Sequence, residues 1–291
     1  MELYHLRSFV AVAQTGNLTQ AAKRLYTTPP ALSAHIKALE AELATELFAR
    51  SSKGMTLTDK GELLLEKAQA TLDSAVDLVN LAATNQNELI GSFHIGLNTC
   101  VKTLKLIDLL DNLNQNCPGI SVEVNQQSSG KVIEAIKNNT LDGGYIFADD
   151  NKHLNEEFVF IKACQQRITT IAPIDLEISD NPSITELKTL PWITMTDYCP
   201  FDNYLAAKLG NNLASTVKSS DDSTRLELVK NGMGLSFLEY FDAQKAEQNQ
   251  QVRIIDALDF SADIYFVISK TKTQEPVIKA VLSEIKKLWS A

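Results

Sequence analysis

Apolar residues recur at helical spacing over the first eighty positions. From about residue 90 they fall instead into short runs separated by helical stretches. Leu3, Leu6, Phe9, Val10 and Ala13 form a stripe over residues 3–14 that ends at Thr15-Gly16-Asn17, and a glycine there suits a helix C-terminus. Thr19 is placed to cap a second short helix, Gln20 to Leu25, whose Ala21 and Ala22 let another helix cross closely. Tyr26-Thr27-Thr28 then turns into Pro29-Pro30-Ala31-Leu32-Ser33, with Thr28 as N-cap and Pro29 at N1, the helical position that best tolerates proline. This third helix runs on through His35, Ile36, Leu39 and Leu43.

Two short helices joined by a tight turn, the second with polar side chains beside its apolar stripe, fit a helix-turn-helix as well as an ordinary helical hairpin. Phe48-Ala49-Arg50-Ser51-Ser52-Lys53-Gly54-Met55-Thr56-Leu57-Thr58 reads as a β-hairpin whose polar tip carries Arg50 and Lys53. It is either a wing that meets phosphates or a solvated surface hairpin. Thr58-Asp59 caps a long helix in which Leu65, Ala68, Leu72, Ala75, Val79 and Ala82 step by three and four, a heptad seam suited to close helix pairing. Nearly thirty residues at ~1.5 Å each span about 40 Å, enough for a dimer interface.

The body begins near Ile90-Gly91. The pattern predicts a strand through Phe93, Ile95 and Leu97, a helix from about Lys102 to Asn116, a strand Ile120–Val124, a helix Gly130–Asn138 and a strand Gly143–Phe147. It restarts with strands Ile168–Ala172 and Trp192–Met195, a helix from Phe201, a strand Thr216–Lys218, a helix through Leu226 and Val229, and a strand Leu235–Leu238. Asp263–Ser269 and a helix Glu275–Trp289 close the chain. Such alternation implies right-handed crossovers and a parallel sheet covered by helices.

With 291 residues, 44% of them hydrophobic, the chain can bury more than one core. Residues 1–60 carry seven bases (Arg7, Lys23, Arg24, Lys37, Arg50, Lys53, Lys60) against five acids (Glu2, Glu40, Glu42, Glu46, Asp59), net +2. The remainder carries 20 bases and 31 acids, net −11, giving −9 in all. A general nucleic-acid coat is excluded, but a DNA-binding head on an acidic body is not. Met1-Glu2-Leu3-Tyr4-His5 opens into the amphipathic stripe with no signal-peptide pattern, and no uncharged apolar run approaches about 18 residues. A cytoplasmic chain without membrane contact is expected. Cys100, Cys117, Cys164 and Cys199 lie far apart with no CxxC spacing. A redox pairing such as Cys164 with Cys199 stands beside the simpler reading of buried or idle thiols.

Leu6-Arg7-Ser8-Phe9-Val10-Ala11-Val12-Ala13, Gly16-Asn17-Leu18-Thr19-Gln20-Ala21-Ala22-Lys23-Arg24-Leu25, Pro30-Ala31-Leu32-Ser33-Ala34-His35-Ile36-Lys37-Ala38-Leu39-Glu40 and Leu47-Phe48-Ala49-Arg50 follow one another in the order and spacing of the LysR-type signature. The chain thus resembles the LysR-type transcriptional regulators over its first sixty residues without a gap. Further on, Ile95-Gly96, Leu141-Asp142 and Val229-Lys230-Asn231-Gly232-Met233-Gly234-Leu235 sit as that family places them. The resemblance implies an α/β protein: a winged helix-turn-helix at 1–58, a linker and dimerisation helix at 59–88, and a two-lobed effector domain like the periplasmic binding proteins at 89–291. Lobe I would be 89–163 with 266–291, and lobe II 164–265. It implies a homodimer or homotetramer on an interrupted palindromic site in double-stranded promoter DNA, with access of RNA polymerase modulated by a small-molecule effector.

On DNA, the family's contact positions fall here on Thr28, Pro29, Pro30, Ser33, His35 and Lys37, with Arg50 and Lys53 on the wing. Helix N-termini donating to phosphate fix register, and side chains further into the groove read base edges. Two positions depart from the family: Pro29 replaces the usual glutamine before Pro30, and Ala34 replaces the usual arginine after Ser33. Neither can make the bidentate base contacts of glutamine or arginine, worth ~1–3 kcal/mol of discrimination.

An effector bound at the carboxyl ends of the strands would meet Asn98, Thr99, Cys100, Ser128 and Ser129 on one lobe and Thr196 and Asp197 on the other. Several of these residues equally suit helix capping. Backbone amides near Thr99–Val101 and Ser129–Lys131, with Lys102 and Lys131, lean toward a small anion. The four histidines, His5, His35, His94 and His153, form no HxH or HExxH, and there is no GxSxG, P-loop or GxGxxG, so neither a metal centre, a cofactor nor an enzyme is expected. Gly232-Met233-Gly234 reads as a helix end and turn. A transport-type metabolite receptor with an added helical piece is the alternative, against which the ungapped N-terminal match counts.

Overall fold

The computed structural model describes residues 1–51, 54–82, 88–99, 101–148, 156–179, 181–195, 199–211, 213–214 and 217–290, with the backbone alone at 50, 51, 54 and 200. They fall into two compact units, Met1–Thr84 and Asn85–Ala291.

In the first unit, helices α1 (Leu3–Thr15), α2 (Leu18–Arg24) and α3 (Pro29–Leu43), the hairpin β1 (Phe48–Ser51) and β2 (Gly54–Leu57), and the start of the long α4 (Asp59–Ala82) share one core. Gly16 ends α1 in the left-handed region at φ 63°. Asn17, rather than Thr19, caps α2: its Oδ1 accepts the amides of Thr19 at 2.8 Å and Gln20 at 3.1 Å. An amide oxygen two residues ahead of the expected cap reaches both orphan donors, so the helix starts before its apolar stripe does. Thr28 caps α3 as expected, accepting from the Ala31 amide. Leu6, Phe9 and Val12 of α1 bury against Leu32, Ile36 and Leu39 of α3, with Leu47 beneath.

Thr58 Oγ1 accepts the Gly61 amide at 2.9 Å and so caps α4. A Cβ on Gly61 would lie 2.2 Å from the Leu47 carbonyl oxygen, so only glycine lets the helix begin against that backbone. The single heptad seam expected along α4 is divided. Ala68 is buried in the unit's own core and Leu65 and Leu72 pack on it, whereas Leu78, Val79 and Leu81 remain exposed. The first turns are committed to α1, which lies against them, and the later turns keep these apolar side chains exposed.

The second unit is built on six strands in the order β4-β3-β5-β10-β6-β9. They are β3 (Gly91–Leu97), β4 (Ile120–Gln126), β5 (Gly143–Ala148), β6 (Phe158–Ala172), β9 (Ser236–Glu239) and β10 (Arg253–Ser269). β3 runs parallel to β4 and β5, but the β5–β10, β10–β6 and β6–β9 pairings are antiparallel. The expectation of a parallel sheet therefore holds only for the first lobe and for the small pair β7 (Ile193–Thr194) and β8 (Val217–Lys218).

The difference lies in the crossings. Strands expected at Ile168–Ala172 and Asp263–Ser269 are halves of β6 and β10, which pass between the lobes side by side. Polar residues at the crossing interrupt the apolar runs, yet they pair with each other: Lys162 with Asp263, Gln165 Nε2 with Asp263 Oδ1 at 3.0 Å, and Arg167 Nε with Asp259 Oδ2 at 2.7 Å.

Helices α5 (Leu106–Asn116), α6 (Ser129–Lys137) and α11 (Pro276–Trp289) cover the first lobe. Helices α7 (Ile184–Thr189), α8 (Pro200–Leu209), α9 (Asp222–Lys230) and α10 (Tyr240–Gln248) belong to the second. α5 begins four residues later than expected because Lys105 sits in the left-handed region at φ 48°, ahead of Leu106. Gly232 and Gly234 form the expected turn after α9, with φ 78° and 141°.

Asp142 ties the start of β5 to β3. Its Oδ2 accepts the His94 amide at 2.8 Å and contacts His94 Nδ1 at 3.1 Å, and Lys272 Nζ lies 3.4 Å from Oδ1. Burial pushes the Asp142 carboxyl up, but the His94 hydrogen bonds and the Lys272 charge outweigh it and hold the group below the usual carboxylate range. A depressed folded-state pKa contributes stability above the unfolded value, about 3.9, that is lost as pH falls through the folded value. Asp142→Asn is expected to cost about 1.5–3 kcal/mol at pH 7. In chemical denaturation across pH 7 to 2.5, the gap to the parent should close below about pH 4.

Candidate nucleic-acid interface and effector cleft

Along α3 the apolar residues Leu32, Ile36 and Leu39 face the core, and Thr28, Pro30, Ala34, Lys37 and Ala41 face solvent, with Ala31, Ser33 and Ala38 half-buried. The helix end differs from a simple phosphate site. Of its first four positions, Pro29 and Pro30 have no N–H, the Ala31 amide is held by Thr28 Oγ1, and the Leu32 amide by the Thr28 carbonyl at 3.0 Å. Within Pro29–Leu32 no amide is left over for a phosphate.

His35 sits differently from Lys37. Its Nδ1 and Ser8 Oγ are hydrogen-bonded at 2.8 Å, and its ring lies 4.8 Å from Tyr4 and 5.6 Å from His5. Its Nδ1 is thus committed to the α1–α3 contact in a half-buried residue, while Lys37 is exposed. The hairpin is joined to α1 by the Met55 amide donating to the Gly16 carbonyl at 3.1 Å, and Arg50 pairs with Met55 across it. Lys53 and the Arg50 side chain lie outside the described residues.

In the second unit, Asn98 and Ser129 come together where the sequence placed them. Asn98 Nδ2 donates to Ser129 Oγ at 3.2 Å, and the Phe147 amide donates to the same oxygen at 3.1 Å. Ser129 thus links the ends of β3 and β5 to the start of α6, and Asn98 Oδ1 is buried with no hydrogen-bond partner. Thr99 is buried. Ser128 stands at the N-cap of α6, but its side chain makes no capping bond, so the first α6 amides are not closed off by it.

A groove of about 440 Å³ runs from this end along α6 to its far end, lined by Gln126, Gln127, Ser128, Lys131, Glu134, Ala135, Asn138 and Thr140 of the first lobe and Ser220 of the second. Lys102 does not join it: its Nζ lies 5.1 Å from the centre of the Phe241 ring on α10. With α5 starting at Leu106, the Thr99–Val101 stretch is not a helix N-terminus, contrary to expectation. Cys100, Thr196 and Asp197 lie outside the described residues.

Burial pushes the Cys199 thiol up to about 11 and raises that of Cys164, so neither is a thiolate at neutral pH. Neither thiol is lowered toward the thiolate form in the way that marks an activated cysteine.

Two family models account for both units. The bacterial regulatory helix-turn-helix protein model, lysR family, matches residues 3–62, and the LysR substrate binding domain model matches residues 86–290. The chain belongs to the LysR-type transcriptional regulators. Members of this family are DNA-binding transcriptional regulators with a substrate-binding effector domain, and not enzymes.

The chain is 25% identical to the HTH-type transcriptional regulator YnfL of Escherichia coli (strain K12), over 96% of each sequence. It is 27% identical to TfdS of Cupriavidus pinatubonensis, over 97% of each. Its fold is similar to that of a probable transcriptional regulator, PA0477, from Pseudomonas aeruginosa (TM-score 0.73, 17% identity, 99% of this chain and 98% of that one). It is also similar to full-length CbnR in complex with its target DNA (TM-score 0.66, 19% identity, 99% and 100%).

Two residues of this LysR-type chain escaped the sequence reading. Tyr26, 99% exposed and at φ 52°, stands in the turn of the helix-turn-helix. An aromatic residue in a turn, with no apolar neighbour at helical spacing, was its only signal. Arg225 of α9 is 2% exposed, donates to the carbonyls of Ser219 and Phe237 and pairs with Asp222. It therefore fixes the loop that brings Ser220 to the groove, and a lone arginine on a polar helix gave no hint of burial. Arg225→Ala leaves two carbonyls and Asp222 without their donor and should lower stability by about 2–4 kcal/mol in thermal or chemical unfolding, with Arg225→Lys recovering part of the loss.

Proposed function

We propose that this LysR-type regulator works in the cytoplasm as a homodimer or homotetramer on an interrupted palindromic promoter site, where a small anionic effector resets the arrangement of its subunits and the access of RNA polymerase. Thr28, Pro29, Pro30, Ser33 and Lys37, with Arg50 and Lys53 of the hairpin, form its DNA face. Its effector domain takes lobe I as 89–163 with 266–291 and lobe II as 164–265. Among the described residues no helix is long and apolar enough to cross a membrane. The exposed Leu78, Val79 and Leu81 on the later turns of α4 supply an apolar surface for a second copy.

The observation that carries the effector class is the groove along α6 bordered by residues of both lobes, Ser128 and Lys131 near the helix start from one and Ser220 from the other, where Ser128 makes no side-chain capping bond. A helix N-terminus beside a lysine favours an anion, and a ligand touching both lobes has different contacts when they move.

The test has three arms on the full-length protein. Binding-site selection from genomic fragments should return a sequence with two-fold symmetry, and recovery of unsymmetrical sites alone would count against paired heads. Leu78→Asp with Leu81→Asp should lower the mass in sedimentation, and an unchanged mass removes α4 as the contact. Phosphate, acetate and hydroxycarboxylates, screened by thermal shift, should stabilise the parent more than Lys131→Gln. Equal response of the two proteins would sink the anion assignment.

A further inference from the structure

Over its first three turns the outward face of α3 is mostly hydrocarbon, and the exposed acid Glu42 comes only at its far end. Pro30, Ala34 and Ala41 are exposed on it, Ala31 and Ala38 are half-exposed beside them, and Lys37 is the one cation of the helix. From Thr28 to Leu43 the sequence holds no arginine, asparagine or glutamine, the side chains that grip guanine or adenine with two hydrogen bonds. Its other polar side chains are Thr28, whose Oγ1 accepts the Ala31 amide, Ser33, half-buried, and His35, whose Nδ1 is joined to Ser8, and none of them can grip a base with two hydrogen bonds. The two prolines also remove the backbone donors at the tip of the helix. A major groove presents one apolar feature, the C5-methyl group of thymine, and alanine-like surfaces are its natural complement.

We infer that this helix reads thymine methyl groups, with Pro30 and Ala34 against them and Lys37 on the phosphate backbone or a guanine edge. The inference rests on the DNA-binding reading of α3 and gives that surface its sequence preference: half-sites with thymines at the positions facing the first two turns. Specificity then comes from hydrocarbon burial, which is insensitive to salt, while the phosphate contacts remain salt-dependent.

The experiment starts from the duplex that the full-length protein selects from a random pool. Each thymine of a half-site is replaced singly by deoxyuridine, which removes the methyl group and leaves every base-pair hydrogen bond in place, and affinities are measured at fixed salt. One or two positions per half-site should lose about fourfold, equivalent to about 0.8 kcal/mol for one buried methyl group. At one of these positions Ala34→Gly should bind the thymine and uracil duplexes alike, while the other positions keep their preference.

Equal binding of every uracil duplex and its parent overturns the inference and leaves the DNA-binding reading intact. A uracil effect unchanged by Ala34→Gly at all positions assigns the effect to duplex shape and overturns it too. If no sequence is enriched above a salt-sensitive background, both readings fall.

Discussion

The second unit depends on one constraint: its two lobes share two continuous strands. β6 and β10 run antiparallel through both, so the hydrogen-bond ladder that ends one lobe begins the other. At the crossing the ladder is irregular, with breaks in register between Ile255 and Phe260 and between Ile264 and Tyr265. Such irregularities are where a pair of strands bends and twists most easily. The polar groups of the crossing are held by one another, Asp263 by Lys162 and Gln165, and Asp259 by Arg167 and Thr169. A crossing built this way keeps the lobes in register along the strands yet lets them change angle, which a pair of flexible loops could not do.

The same economy shapes the first unit. α3 must satisfy its own end, bury Leu32, Ile36 and Leu39 and leave a face for DNA, all within fifteen residues. The prolines at its tip pre-set the helix at the expense of two backbone donors, and Thr28 closes the next amide. What remains outside is Pro30, Ala34 and Lys37 rather than a row of donors. An acidic body of net −11 repels DNA, so affinity is concentrated in the head, and the proposed pairing of heads would multiply it. The division of α4 answers that need: its first turns fasten it to the head core, and its later turns carry exposed Leu78, Val79 and Leu81.

Helix and strand order in the head was legible because each element carried both a periodic stripe and a chemical punctuation mark: Gly16, Thr28 with Pro29, and Thr58. The failures have specific causes. α10 buries only Ala243 and Ala246, and its one large apolar side chain, Phe241, is exposed, so its stripe is too thin to register, and the six-residue α7 is shorter than two turns. β6 was halved because Lys162, Gln165 and Arg167 look like a loop until their partners on β10 are known, and those lie some ninety to a hundred residues away. Pairings of that range leave no trace in local pattern. Asn98 and Ser129 were found by asking which residues follow strands, a question of topology, while Arg225 was missed because nothing local distinguishes a buried arginine from a solvated one.

Arg225 also bears on how the two kinds of information in the molecule meet. Its guanidinium is fixed by Ser219 and Phe237 on one side and Asp222 on the other, which makes the loop carrying Ser220 a rigid extension of the second lobe. Ser129, bonded to Asn98 and to the Phe147 amide, does the same for the α6 end of the first lobe. In the proposed reading, a ligand between two edges so held would be accommodated by the angle between the lobes more than by a side chain on either. Differential affinity for one angle is the quantity that a ligand needs in order to act on the rest of an assembly. The irregular crossing of β6 and β10 is the part of the unit where that angle can be set.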